Sequence, residues 1–172
     1  SSALHAEPPT NPELGRSDTL YVLEIFTASE CVACANLHRD FIASFTDSPL
    51  SKTLRLRIRT VPPVNDGEDL DPLTISAFCV QSTPEWFSRY GPHEVAAAVE
   101  RLSAAARRRF HRCIDDPRAQ AVMRFNRSEQ LLFGFQATPA FRLLKDGQSL
   151  CATCAWQGFR STEALTKRVD RL

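Results

Sequence analysis

The sequence predicts a single α/β domain, and three observations predict it. An apolar, β-rich run at residues 20–26 leads straight into a cysteine pair, the middle of the chain carries helical periodicity, and the end carries two turn-linked strands and an amphipathic helix. A length of 172 residues suits one core, or one core with a large insertion, better than two independent domains. With 43% hydrophobic and 24% charged residues the chain has the make-up of a folded globular protein, which excludes a disordered one. The net charge of +1 excludes recognition of nucleic acid or membrane surfaces through overall charge. No apolar run approaches the ~20 residues that span a bilayer.

Residues 1–16 form a polar stretch containing Pro8, Pro9 and Pro12, and the expectation is a flexible segment over 1–18 ahead of a domain over 19–172. A start at Ser1 without a charged-then-apolar leader is expected of an exported protein whose signal has been removed, which points to a periplasmic or extracellular location. The run Leu20-Tyr21-Val22-Leu23-Glu24-Ile25-Phe26 has the pattern of a strand covered on both faces. From Cys31 to Phe45, Leu37, Phe41, Ile42 and Phe45 recur at helical spacing, with Ser29 or Glu30 placed to cap the helix. Residues 54–61 alternate Leu54, Leu56 and Ile58 with Arg55, Arg57 and Arg59, as a second strand does.

Turn residues crowd positions 62–69 and close this first β-α-β unit. Short helices are expected at 72–81 and 84–90, each opened by a proline, which suits a first helical turn. A longer helix is expected over 93–113, with Val95, Val99, Leu102, Ala106 and Phe110 as its buried stripe. Pro117 opens another that Gly134 closes. Residues 140–145 and 149–156 form a hairpin around Asp146-Gly147. Ser161 then caps a last helix whose Leu165, Val169 and Leu172 face inward.

The chemistry centres on Cys31-Val32-Ala33-Cys34. A thiolate rather than a thiol attacks a disulfide, so a redox site needs a cysteine that is accessible and whose charged form is stabilised. A helix N-terminus supplies that stabilisation, because its unpaired N–H groups and the positive end of its dipole point at the first-turn sulfur. Cys34, three residues on, shares the face and can resolve a mixed disulfide. A structural disulfide or half of a metal site would show the same spacing. The pair Cys151 and Cys154 repeats it on a predicted strand, where residues three apart face opposite sides and can pair only across a bulge or turn; the expectation is a local structural disulfide there rather than an electron relay to Cys31. Together Cys31, Cys34, Cys151 and Cys154 satisfy a four-cysteine zinc pattern, the alternative of a zinc-stabilised, non-catalytic binding module.

The stretch from Tyr21 to Cys34 resembles the active-site strand, loop and helix of thioredoxin-fold oxidoreductases, and Thr138-Pro139-Ala140-Phe141 resembles their second hallmark. Phe78-Cys79, Trp86-Phe87, Phe110, the run Cys113 to Pro117 and the run Gly134 to Pro139 look like the helical insertion and its exit in the DsbA-like exported disulfide oxidoreductases. The resemblance implies a thioredoxin fold, a mixed sheet with flanking helices, interrupted by a helical insertion at about 66–134. It implies Cys31 as nucleophile, Cys34 as resolving thiol, Pro139 as a cis-proline, and Thr138 as the residue whose backbone contacts a substrate strand. Glu24 is the candidate proton shuttle, although it stands one residue upstream of the buried acid that such folds place beneath the dithiol.

No cofactor beyond the Cys31–Cys34 redox disulfide is implied, and no metal. The expected partners are thiol- or disulfide-containing exported proteins and a membrane redox protein that resets the dithiol, with the chain itself a monomer. The pair Val32-Ala33 lacks the proline and histidine that strongly oxidising relatives carry, and Glu30 adjoins Cys31, so transfer in the oxidase, reductase or isomerase sense stays open at this level. Cys79 and Cys113, on separate predicted helices, are candidates for a structural disulfide, with two free buried thiols as the other possibility. The basic run Arg107-Arg108-Arg109 and the arginines of 54–61 read as solvated faces rather than a nucleic-acid site. His38 stands one helical turn after Cys34, where it could tune that thiol, but its first reading is an ordinary exposed histidine.

Overall fold

The computed structural model describes residues 9–63, 70–81, 95–151 and 154–172. The expected helix over 84–90, with Trp86 and Phe87, and most of the expected turn over 62–69 lie outside the described residues.

Strand β2 (Tyr21–Thr27) is the centre of the sheet. It pairs in parallel with β3 (Leu54–Thr60) and antiparallel with β4 (Ala140–Lys145). Strand β1 (Glu13–Leu14) pairs antiparallel with the outer edge of β3, while β5 (Gln148–Ser149) and β6 (Ala155–Gln157) both pair antiparallel with β4. Helix α1 (Val32–Asp40) follows β2. Between β3 and β4 come α2 (Pro72–Gln81), α3 (Val95–Arg101), α4 (Ala104–Ile114) and α5 (Pro117–Leu132), and α6 (Thr162–Asp170) ends the domain.

Alternation along the strands divides the molecule into two layers. Leu23 and Ile25 of β2, Leu54, Leu56 and Ile58 of β3, and Phe141 and Leu143 of β4 point to one face, where Leu37 of α1, Phe45 and Leu165 of α6 complete the core. The inserted helices build a second core from Phe78, Val80, Leu102, Phe110 and Met123. A disulfide between Cys79 and Cys113, both buried, ties α2 to α4. Closing a loop of this length stabilises a fold by roughly 3–4 kcal/mol through the unfolded chain.

Several sequence expectations are corrected. The segment ahead of the domain is not wholly flexible: Glu13 and Leu14 extend the sheet, and Asn11 exchanges side-chain hydrogen bonds with Asn126 of α5. The helix expected over 31–45 stops at Asp40, where the Asp40 carbonyl accepts a hydrogen bond from Thr162 Oγ1 of α6. A non-helical Phe41 and a 3₁₀ turn at Ile42–Asp47 then bury Phe41, Ile42 and Phe45 without a continuous α-helix. The helix expected over 93–113 is two helices, because Ser103 turns its hydroxyl to the Ala106 N–H and caps α4. The second strand of the hairpin is split into β5 and β6 around the Cys151–Cys154 disulfide. Leu172 lies beyond α6 and is exposed.

The arginines of β3 do not form a solvated face. They lie on the insertion side of the sheet, where the register sets Glu24 directly between Arg57 of β3 and Arg142 of β4. Arg57, Arg59 and Arg142 all ion-pair with Glu24, at 3.2, 3.3 and 2.6 Å. Arg59 also pairs with Glu129, and its Nε donates to Asn126. Burial alone would lower the pKa of Arg57, but Glu13 and Glu24 outweigh it and hold the guanidinium above its ordinary value.

Candidate active site

Strand β2 ends at Thr27 and the chain reaches the first turn of α1 through Ala28, Ser29 and Glu30. Ser29 is buried against Thr74 of α2, their hydroxyl oxygens 3.5 Å apart, which anchors the loop on the insertion. Neither Ser29 nor Glu30 caps α1. Cys31 does so itself: its backbone is extended and its Sγ accepts from the Cys34 N–H at 3.1 Å. An N-cap is where an orphan donor meets an acceptor, so the cysteine sulfur stands where α1 places the positive end of its dipole.

Cys31 and Cys34 form a disulfide. Cys31 is half-buried while Cys34 is buried, so an incoming group can reach only the first sulfur. Val32, 77% exposed, presents an apolar side chain beside it. Across from the disulfide, Thr138–Pro139 is a cis peptide, and the Thr138 carbonyl oxygen lies 3.4 Å from Cys31 Sγ. The oxidised sulfur carries no proton, so this is a close contact; in the dithiol form the Cys31 thiol has that carbonyl as an acceptor.

Gln157 fixes this second wall. Its Oε1 accepts from the Gln136 and Ala137 N–H groups at 2.7 and 2.8 Å, and the Gly158 N–H donates to the Pro139 carbonyl at 2.8 Å. The Gln157 contacts are exposed, so water replaces them cheaply on substitution. Gln157→Ala is therefore expected to change stability by less than about 1 kcal/mol. It should raise the KM for a peptide disulfide about tenfold, with kcat nearly unchanged, because about 1.4 kcal/mol of wall positioning is lost. Gln157→Glu, which keeps the acceptor, should restore the KM; a matching loss of kcat in the alanine variant would contradict this role.

Phe26, Phe133 and Phe135 form an aromatic cluster behind the wall, and the Arg142 guanidinium sits 3.8 Å from the Phe133 ring centroid. This links the Glu24 cluster to the loop carrying Thr138. Glu24 itself does not sit beneath the dithiol. It is on the opposite face of β2 from α1, and three arginines engage it, so the structure does not support the expected shuttle role. The one-residue offset noted in the sequence is the reason, since neighbouring strand residues point to opposite faces.

His38 is corrected too: it is buried, and with Cys34 it lines a small cavity behind the dithiol. A much larger groove, about 1090 Å³, lies over the Glu24 cluster and includes neither Cys31 nor Thr138 in its walls, so volume does not mark this site. The zinc pattern is not formed. Cys31–Cys34 and Cys151–Cys154 are each closed as their own disulfide, and among the described residues no three His, Cys, Asp or Glu side chains converge on a metal position.

The central sheet, the two flanking layers and the disulfide at the head of α1 define a thioredoxin-fold domain with a helical insertion. Solved structures of the same architecture include a thioredoxin-like oxidoreductase from Silicibacter pomeroyi DSS-3, at 18% identity over 95% of this chain and 92% of that one, with a TM-score of 0.68. Wolbachia pipientis alpha-DsbA1 matches at 18% identity over 100% of this chain and 96% of its own, with a TM-score of 0.65. Pseudomonas aeruginosa DsbA2 matches at 16% identity over 96% of each chain, with a TM-score of 0.61. No family model and no curated protein matches the sequence. What the chain shares with these proteins at such identities is the fold.

Proposed function

We propose that this protein is a DsbA-like thiol-disulfide oxidoreductase that exchanges disulfides with exported proteins. The observation that carries the reading is the asymmetry of the disulfide: a partly exposed Cys31 on a helix N-cap, a buried Cys34 behind it, and the Thr138 carbonyl facing the Cys31 sulfur at 3.4 Å. Cys31 is the nucleophile in the reduced state and the attacked sulfur in the oxidised one. Reduction leaves the Cys34 N–H aimed at the Cys31 sulfur, the interaction that favours a thiolate. Cys34 resolves the mixed disulfide, and Thr138 and Pro139 hold the substrate chain along the wall that Gln157 fixes.

The full-length likeness to DsbA proteins supports export and a membrane partner that resets the dithiol. Among the described residues no helix is long and apolar enough to cross a membrane. Cys151–Cys154 is a structural clasp between β5 and β6, and Cys79–Cys113 a structural link within the insertion. The test is turnover of a reduced, unfolded protein under a glutathione redox buffer. The intact protein is expected to form disulfides catalytically and Cys31→Ser not at all; equal rates for the two would overturn the proposal. The reduction potential sets the direction of transfer, since oxidants and reductants of this fold differ by ~150 mV.

A further inference from the structure

We infer that His38 is the proton-transfer residue for Cys34, taking the place of an acid beneath the dithiol; this rests on the oxidoreductase reading above. The two residues are one helical turn apart on α1 and line the same cavity, about 10 Å³ in volume, which is room for a single water. Thr27 Oγ1, a wall of that cavity, is a buried hydroxyl without a hydrogen-bond partner among the described residues, and a bridging water would satisfy it. Leu37, Ile42, Ile58 and Gln81 complete the walls from α1, the turn after it, β3 and α2, and none of them ionises. Arg39 and Asp40, next along the helix, pair with each other at the surface. Glu24 is held on the other side of the sheet.

A proton must move because Cys34 is 2% exposed, and burial in apolar surroundings disfavours a thiolate there. When Cys34 resolves a mixed disulfide, its proton passes to the His38 imidazole, directly or through the cavity water. The Cys34–Cys31 S–S bond forms, the Cys31–substrate S–S bond breaks, and the substrate leaves as a thiolate. In the oxidising direction the substrate thiolate attacks Cys31, the Cys31–Cys34 bond breaks with its electron pair going to Cys34, and the His38 imidazolium protonates the departing sulfur. Imidazole suits both directions because it titrates near neutral pH.

The test is the rate of mixed-disulfide resolution in His38→Gln, measured from pH 5 to 9 in the full chain. Resolution at pH 7 is expected to fall by about a hundredfold, the scale of general acid–base catalysis, with loss of the limb that titrates near the imidazole range. Capture of a substrate disulfide by the reduced Cys31, in which Cys34 takes no part, is expected to continue. Slowing with an unchanged pH profile would mark a packing role and overturn the inference, as would an unaltered rate. Failure of capture on Cys31 in the unsubstituted protein would instead refute the oxidoreductase reading. Should His38→Gln not fold, the His38 ring is followed by NMR in the unsubstituted protein. Its titration is expected to shift between the dithiol and disulfide forms, and identical titration in both would overturn the assignment.

Discussion

Replacing Glu24 with alanine is expected to destabilise the domain by about 3–5 kcal/mol, the cost of breaking a buried ion network by removing one partner. Glu24 and Arg59 have side chains 3% exposed, and the loss of one carboxylate strips a shared counter-charge from Arg57, Arg59 and Arg142 together. Glu129 still pairs with Arg59 and Glu13 with Arg57, but among the described residues Arg142 has no second carboxylate. Since whole domains are stable by about 5–15 kcal/mol, the change is a large share of the total. Glu24→Gln keeps the volume and two hydrogen-bonding atoms, so it should cost distinctly less. Urea unfolding of the three proteins checks this, and an alanine cost under about 1 kcal/mol would contradict the network's structural role. Disulfide exchange by Glu24→Gln should stay near that of the intact protein, because Glu24 lies on the face away from α1. A proton shuttle would instead lose its exchange rate on this substitution without a matching loss of stability.

Cys34→Ser is expected to turn the protein into a trap. The first exchange, at Cys31, needs only an accessible sulfur stabilised at the helix N-cap, and serine leaves the Cys34 backbone N–H in place. The second exchange needs a thiol behind Cys31, and none remains. Substrates should accumulate as one covalent adduct per molecule, on Cys31, with multiple turnover lost and adducts released by added thiol. Peptide mapping of the captured complexes checks the site. Adducts on Cys79 or Cys151 instead of Cys31 would show that the nucleophile had been misassigned.

Much of this architecture was legible in the residues. The Leu/Arg alternation of β3 gives the two faces of the sheet directly, and Asp146-Gly147 gives the hairpin, both residues adopting positive φ. The proximity of Cys31 to Thr138 was legible through family resemblance, since the two stand far apart in the chain and no local pattern joins them. What escaped depended on tertiary partners. The two-residue β1 exists because the β3 edge offers it hydrogen bonds, and its own sequence carries no strand signal. Helix α1 stops at Asp40 because Thr162, far along the chain, takes the last carbonyl. By contrast, the break before α4 had a local signal in Ser103, hidden by alanines that continue the periodicity across it. Arg55, Arg57 and Arg59 looked solvated because arginine usually is. The burial of Arg59 and the partial burial of Arg55 and Arg57 depend on carboxylate partners brought in by the fold, Glu13, Glu24 and Glu129, which no local pattern joins to them.

The central claim is that Cys31–Cys34, of the three disulfides, is the redox-active one. It is tested most directly by titrating the folded protein with a limiting dithiol reductant, quenching with an alkylating agent and mapping the labels by mass spectrometry. The expected result is that Cys31 and Cys34 are released first, with Cys31 alkylated ahead of the buried Cys34, while Cys79, Cys113, Cys151 and Cys154 remain paired. Release of Cys151–Cys154 or Cys79–Cys113 ahead of Cys31–Cys34 would contradict it.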